Sequence, residues 1–207
     1  MNEGEPASER EARDWISEHL QDGDPFHEIY AATERHRVAH RCEAYASSNG
    51  PLLAVLARSV DARRSLEVGT ALGYTAAWLA HGSPGGQVDT FEADPGHAEL
   101  ALSELRRVGL DARVRVHVGK SPVALDGLEP GYDLVFYDAS IPTVEELAAF
   151  RALLRPSGLL VTSNLFLGVY DPSMPGLERG AQTRRQLLDR ERWLTTFADL
   201  KALSIRL

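Results

Sequence analysis

Glu67, Glu92, Asp138 and the pair Ser163-Asn164 each stand where an apolar run gives way to a turn. Carboxylates so placed can accept hydrogen bonds from a ligand's hydroxyls or take a proton from one. The segment Leu66–Ala80, LEVGTALGYTAAWLA, is the most informative. It passes from an apolar run ending in an acid, through a glycine turn, into an apolar helix. Gly69 and Gly73 carry no Cβ, so backbone there can approach a ligand closely. The helix opening at Tyr74 and Thr75 presents free N–H groups that suit a carboxylate or phosphate. The spacing is E-x-G-x-x-x-G, not the G-x-G-x-x-G of dinucleotide binders. Such a turn is weak by itself, and it gains specificity from the strand-end signals that follow it.

Those residues need a frame, and the pattern of the chain supplies one. Strands are expected at Ser65–Gly69, Gln87–Glu92, Arg113–Val118, Asp133–Asp138 and Gly158–Asn164. Helices are expected near Tyr74–Ala80, Gly96–Val108 and Val144–Leu154, with a short one after Ser121. Strand–helix alternation implies an α/β fold, a parallel sheet with helices on both faces. DLVFYD has the continuous apolar character of a strand buried on both sides. Residues 11–46 read as two helical pieces broken at Gly23-Asp24-Pro25. Leu52–Ser59 continues as a helix after Pro51, which suits a first turn. A loop, Leu165–Leu177, precedes a helix over Glu178–Glu191, and Trp193–Phe197 and Ala202–Leu207 read as a closing hairpin. Residues 1–10 are expected to be loose, 11–60 to form capping helices, and 61–207 to form the main body of a single domain.

Composition narrows the function. The 207 residues are 43% hydrophobic and 25% charged, ordinary for one α/β domain with a sizeable core. The net charge of −8 argues against a broad nucleic-acid-binding surface. A single cysteine, Cys42, rules out an internal disulfide and a metal site built on cysteines. The acidic start is not that of a secretory leader, and no apolar run is long enough for a membrane span. A cytoplasmic protein is expected. His36 and His40 are four apart on one helix face, but no third ligand is in view. The cluster Glu34–Arg37 reads as an exposed charged face.

In open α/β sheets, ligands lie beyond the carboxyl ends of the strands. Glu92 can there accept two hydrogen bonds from a ribose diol, or stand as a solvated acid at a loop start. In GKSP (Gly119–Pro122), Ser121 can face an adenine edge or cap the short helix. With these residues, the turn E-x-G-T-x-x-G-Y-T and the run ALLRPSGLL, the chain resembles a class I S-adenosylmethionine-dependent methyltransferase. More narrowly, it resembles the small O-methyltransferases of the catechol and caffeoyl-CoA type. The resemblance covers roughly residues 43–207. It implies a Rossmann-like seven-stranded sheet, mostly parallel, with an antiparallel last strand. It implies a cofactor site of Glu67, Gly69, Thr70, Gly73, Tyr74, Thr75, Glu92, Ala93, Gly119, Ser121, Pro122, Asp138 and Ser140. Gly69 and Thr70 would line the methionine part, Thr75 would bond its carboxylate, and Asp138 would lie near the transferring methyl.

The catalytic half departs from the family pattern. Metal-dependent members carry Asp at the fourth strand end and Asp-Asn at the fifth. Here Asp138 and Asn164 remain, while Ser163 replaces the middle carboxylate. Ile141 stands where catechol-type enzymes have a lysine base, and only Lys120 and Lys201 exist in the chain. The expectation is O-methylation of a small phenolic acceptor without a divalent metal, through either an acidic phenol or Asp138 acting as base. Phe166 and Tyr170 would line the acceptor pocket, and the amino-terminal helices would cover it and form a homodimer interface. The alternative is a protein of this fold that binds the cofactor and has no transfer activity.

Overall fold

Tyr132–Tyr137 is the centre of the architecture, because all six side chains of YDLVFY are buried. Such a strand needs cover on both faces, and the chain provides it. A computed structural model describes residues 23–166, 177–198 and 201–207, with positions 8, 10–12, 15 and 19. Most of the expected loose terminus, most of the first helical piece, and Tyr170 lie outside the described residues.

The elements run α1 (His27–His40), α2 (Gly50–Ser59), β1 (Arg64–Val68), α3 (Tyr74–Gly82), β2 (Gln87–Glu92), α4 (Pro95–Arg107) and β3 (Val114–Val118). They continue with β4 (Tyr132–Tyr137), α5 (Val144–Leu153), β5 (Leu154–Thr162), α6 (Leu177–Leu187), β6 (Trp193–Ala198) and β7 (Lys201–Arg206). The sheet has seven strands in the order β3-β2-β1-β4-β5-β7-β6. β1 through β5 pair in parallel, and β7 pairs antiparallel with both β5 and β6. This is the Rossmann-like methyltransferase sheet that the resemblance implied. Successive side chains of a strand point to opposite faces. Leu134 and Phe136 accordingly join one core with α1–α4, while Val135 and Tyr137 join the other with α5 and α6.

Local chemistry sets the helix starts. Asp94 caps α4 by accepting from the N–H groups of Gly96 and His97, and Pro95 takes the first turn. Thr143 and Glu146 form a reciprocal capping box on α5. α3 has no side-chain cap, since Gly73 precedes it.

Three boundaries depart from the sequence expectation by four residues or more. The helical piece expected to reach residue 46 ends at His40, where Arg41 turns left-handed (φ 51°). β5 begins at Leu154 rather than Gly158, because Leu154 pairs with Tyr132 across a register shift. The helix expected to reach Glu191 ends at Leu187; Asp189 then starts a turn, its carbonyl accepting from Arg192 and Trp193.

Asp133 joins three elements at the edge opposite the glycine turn. One carboxylate oxygen accepts from the N–H groups of Arg63 (2.7 Å) and Arg64 (2.9 Å), the other from Arg155 Nε (2.5 Å). Burial alone would raise its pKa, but the Arg155 bond and the two backbone N–H groups outweigh it and hold the acid below its usual value. A depressed carboxylate stabilises the fold above its unfolded pKa of about 3.9, and that stability is lost as pH falls through the lower folded value. Asp133→Ala is expected to lose about 1.5–3 kcal/mol at pH 7. Urea unfolding should show the deficit shrinking below about pH 4. A deficit independent of pH would mean that the charge plays no part.

Candidate active site

The end of β1 turns sharply toward the ligand side. Gly69 adopts φ +100°, and a Cβ there would lie 3.0 Å from the backbone of Asp138 and Ala139. Ala71 also has positive φ (47°), a strain that its N–H bond to Glu92 Oε2 (2.8 Å) helps to hold. Glu92 Oε1 accepts from Asp94 N–H at 3.0 Å. Glu92 is therefore no solvated loop acid: its side chain is 12% exposed. Each carboxylate oxygen still has a lone pair for a diol.

Glu67 is wholly buried beneath this turn. Thr90 Oγ1 donates to Glu67 Oε2 (2.6 Å), and the Thr70 and Thr90 hydroxyls meet at 2.5 Å. Thr90 has one proton, already given to Glu67, so Thr70 is the donor in their pair. Glu67 Oε1 has no hydrogen-bond partner among the described residues. Burial is the main cause that pushes the Glu67 pKa up to about 8, and the Asp138 and Glu92 charges add to it against Thr75 and Thr90. Thr75 is buried in the open first turn of α3. Tyr74 is buried too, but its hydroxyl donates to Asp24 (2.8 Å), which anchors the segment before α1.

Gly119 donates its N–H to the Glu92 carbonyl (2.8 Å), bringing the β3 exit alongside. Ser121 does not cap the short helix after it, which carries no side-chain cap; its hydroxyl donates to Glu146. Its oxygen remains able to accept. Pro122 is half-buried, and Ala93 is exposed at the rim. Ser140, also exposed, has its hydroxyl 3.1 Å from that of Tyr137.

Asp138 sits at the β4 exit, its N–H bonded to the Val68 carbonyl (2.9 Å). Asn164 Nδ2 donates to its Oδ1 at 3.1 Å. Burial pushes its pKa up to about 6, against the pull of Ser163, Ser47, Lys201 and Asn164. Two of these neighbours had no signal in the sequence. Ser47 arrives on the irregular stretch between α1 and α2. Lys201 arrives through register: Thr162 pairs with Ala202 in antiparallel β7, so the next position sets Lys201 beside Ser163. Lys120 is exposed. Phe166, expected to line an acceptor pocket, stacks under the Arg184 guanidinium (4.6 Å) and meets Phe197 edge to face.

The site fits S-adenosylmethionine on its own features: an orphaned buried Glu67 oxygen, open N–H groups at α3, and unspent lone pairs on Glu92. It fits a hard divalent cation poorly. Ser163 is neutral, and the Lys201 charge acts on the Asp138 carboxylate.

The raised Glu67 pKa has a consequence for stability. The folded protein holds this proton above the usual carboxylate range, so its contribution is full below about pH 4.3. It is lost as pH rises through about 8. Glu67→Gln, which does not titrate, is expected to escape that loss. The unfolding midpoints of wild type and variant should diverge in the variant's favour as pH rises from about 4.3 to about 8; parallel curves over that range would place no proton on Glu67.

Residues 66–164 match a family model described as a methyltransferase domain. A catechol O-methyltransferase of Mycobacterium tuberculosis is 39% identical over 128 residues, 60% of this chain and 58% of that protein. A provisionally named O-methyltransferase of Mycolicibacterium vanbaalenii is 30% identical over 172 residues, 81% of this chain and 76% of its own. The crystal structure of the O-methyltransferase TomG from Streptomyces achromogenes, involved in tomaymycin synthesis and solved with S-adenosylmethionine, superposes with a TM-score of 0.72. That match has 30% identity and covers 86% of this chain and 89% of TomG. The alignments with the two catechol enzymes span 58% and 56% of their length. The β1 turn, the strand-end acids and these relatives converge: the chain belongs to the class I S-adenosylmethionine-dependent O-methyltransferase family.

Proposed function

We propose that this protein methylates an oxygen of a small phenolic acceptor, with S-adenosylmethionine as donor and no divalent metal in the reaction. The observation that carries the reading is Asp138, a carboxylate at the mouth of the cofactor cleft with a pKa pushed up to about 6. Bound S-adenosylmethionine supplies a methyl group on a sulfonium, open to in-line displacement by an oxygen nucleophile. Glu67, Thr70 and Thr75 hold the methionine end, and Glu92 holds the ribose. Gly119, Ser121 and Pro122 border the adenine. Asp138 takes the acceptor's hydroxyl proton, a role worth about 10²–10⁴-fold in rate. The Lys201 charge steadies the phenolate oxygen left behind. Holding acceptor and donor in line contributes further, up to about 7–11 kcal/mol.

The amino-terminal helices cover this site and, on the same reading, form a homodimer interface. Val38, Tyr45, Leu52 and Val55 are exposed along α1, α2 and the stretch between them, which supports that view. No helix among the described residues is long and apolar enough to cross a membrane, in keeping with a cytoplasmic enzyme.

Calorimetry should show S-adenosylmethionine binding and no comparable heat from NAD. Glu92→Ala should weaken that binding by roughly 1.5–3 kcal/mol; unchanged affinity would mean the ribose is held elsewhere. With labelled donor and a phenol panel, kcat/KM should rise with pH through about 6, because the base must be deprotonated. Asp138→Asn should abolish that limb. Lys201→Met removes a charge that lowers the Asp138 pKa, so the limb should move upward. Rates should be the same with and without added magnesium or calcium. Activity that appears only with magnesium would overturn the metal-free reading, and binding without transfer to any phenol would leave a cofactor-binding protein.

A further inference from the structure

A second group of ligand-type side chains forms away from Asp138, where α1 meets the start of α4. His36 lies one turn before the end of α1, Cys42 just after it, and His97 in the first turn of α4. One ring nitrogen or sulfur from each lies within 4.8 Å of the others, and all three residues are half-buried. The His36 and His97 rings meet edge to face at 5.1 Å, and the His40 ring lies 4.4 Å from that of His36. Sequence spacing offered only the His36–His40 pair. The left-handed turn at Arg41 brings Cys42 back against it, and the Asp94 cap fixes the backbone of His97. His36 is thus no part of a fully exposed charged face.

We propose that His36, Cys42 and His97 bind one transition-metal ion of the zinc class, with His40 or water as fourth donor. A thiolate with two imidazoles suits a borderline-soft ion and not magnesium or calcium. Bonds of about 2.0–2.3 Å put tetrahedral donors roughly 3.3–3.8 Å apart, so closure needs only small side-chain rotations. Binding is a proton exchange: the Cys42 thiol releases its proton as sulfur bonds the ion, while each imidazole binds neutral. The ion would fasten the covering helix α1 to the turn beside Glu92, whose Oε1 is 3.9 Å from His97 Nδ1. Only this consequence for the ribose end rests on the function proposed above.

The test uses untagged full-length protein. Zinc, in competition with a chromogenic chelator, should bind with one ion per chain. Cobalt should give the visible bands of a tetrahedral site and a thiolate-to-cobalt charge-transfer band. Cys42→Ser should remove the charge-transfer band and weaken zinc binding by roughly a hundredfold or more, at or beyond the upper end of what an outer-shell partner costs. Asp138→Asn should change neither. Cys42 is the chain's one cysteine, so wild type gives a second readout without any variant. Its reaction with a thiol reagent should slow with zinc, recover with a chelator, and ignore magnesium. Cobalt bound without a sulfur band, or a thiol equally reactive with and without zinc, would overturn the site. None of these readouts depends on methyl transfer, so failure here and failure of the proposed activity are distinguishable.

Discussion

Where β1 and β4 leave the sheet, their backbones come within van der Waals contact, and the rest of the site depends on that approach. A Cβ at Gly69 would lie 3.0 Å from Ala139 N. Only a glycine permits both this distance and a φ of +100°. The sheet order β3-β2-β1-β4-β5-β7-β6 makes these two strands the pair from which the chain winds in opposite directions. A crevice must open there, since their connections part. Crowding the two exits together also brings Glu67 and Asp138 near enough for the Asp138 charge to act on Glu67.

Three acids share the crevice and meet three environments. Glu67 is buried with one oxygen unpartnered, so its neutral form is favoured. Glu92 is occupied by two backbone N–H groups, and in return it holds the strained turn at Ala71. Asp138 lies between, buried enough to be raised and ringed by enough donors to ionise near neutrality. Different protonation states within one small cleft follow from burial and donor count, with no need for different residue types.

What could be read from the sequence was what local forces decide. The apolar run of β4, the Asp94-Pro95 start of α4 and the glycine turn after β1 all report on neighbours a few residues away. The first element missed, the early end of α1, turns on a left-handed Arg41 that no glycine advertises. Ser47 and Lys201 were invisible for another reason: they reach Asp138 through an irregular segment and a strand register. A β-register is set by the two-sided packing of the whole sheet. The same holds for Cys42 and His97, which are far apart in sequence and meet only because the end of α1 comes up to the start of α4. Side chains joined by long-range geometry leave no spacing to recognise.

The departure at Ser163 makes electrostatic sense once Lys201 is placed. In the metal-dependent pattern that the family resemblance implies, two carboxylates face a divalent cation, and their charges cancel. Here one carboxylate, Asp138, is balanced by one ammonium, Lys201, whose charge draws its pKa down against burial. On the proposed metal-free reading, loss of an anion and replacement of a doubly charged ion by a singly charged one leave the site's charge balance intact. The two arrangements are not equivalent toward an acceptor. A metal ion has several open coordination positions and can clamp two adjacent oxygens at once. An ammonium is a point charge with a few short hydrogen bonds and no such clamp. On the proposed reading, Lys201 can steady one phenolate oxygen, and a second hydroxyl on the acceptor adds nothing that this end of the site can use. Selection among phenols then falls to the shape of the wall beyond Asn164, where Phe166 stacks on Arg184.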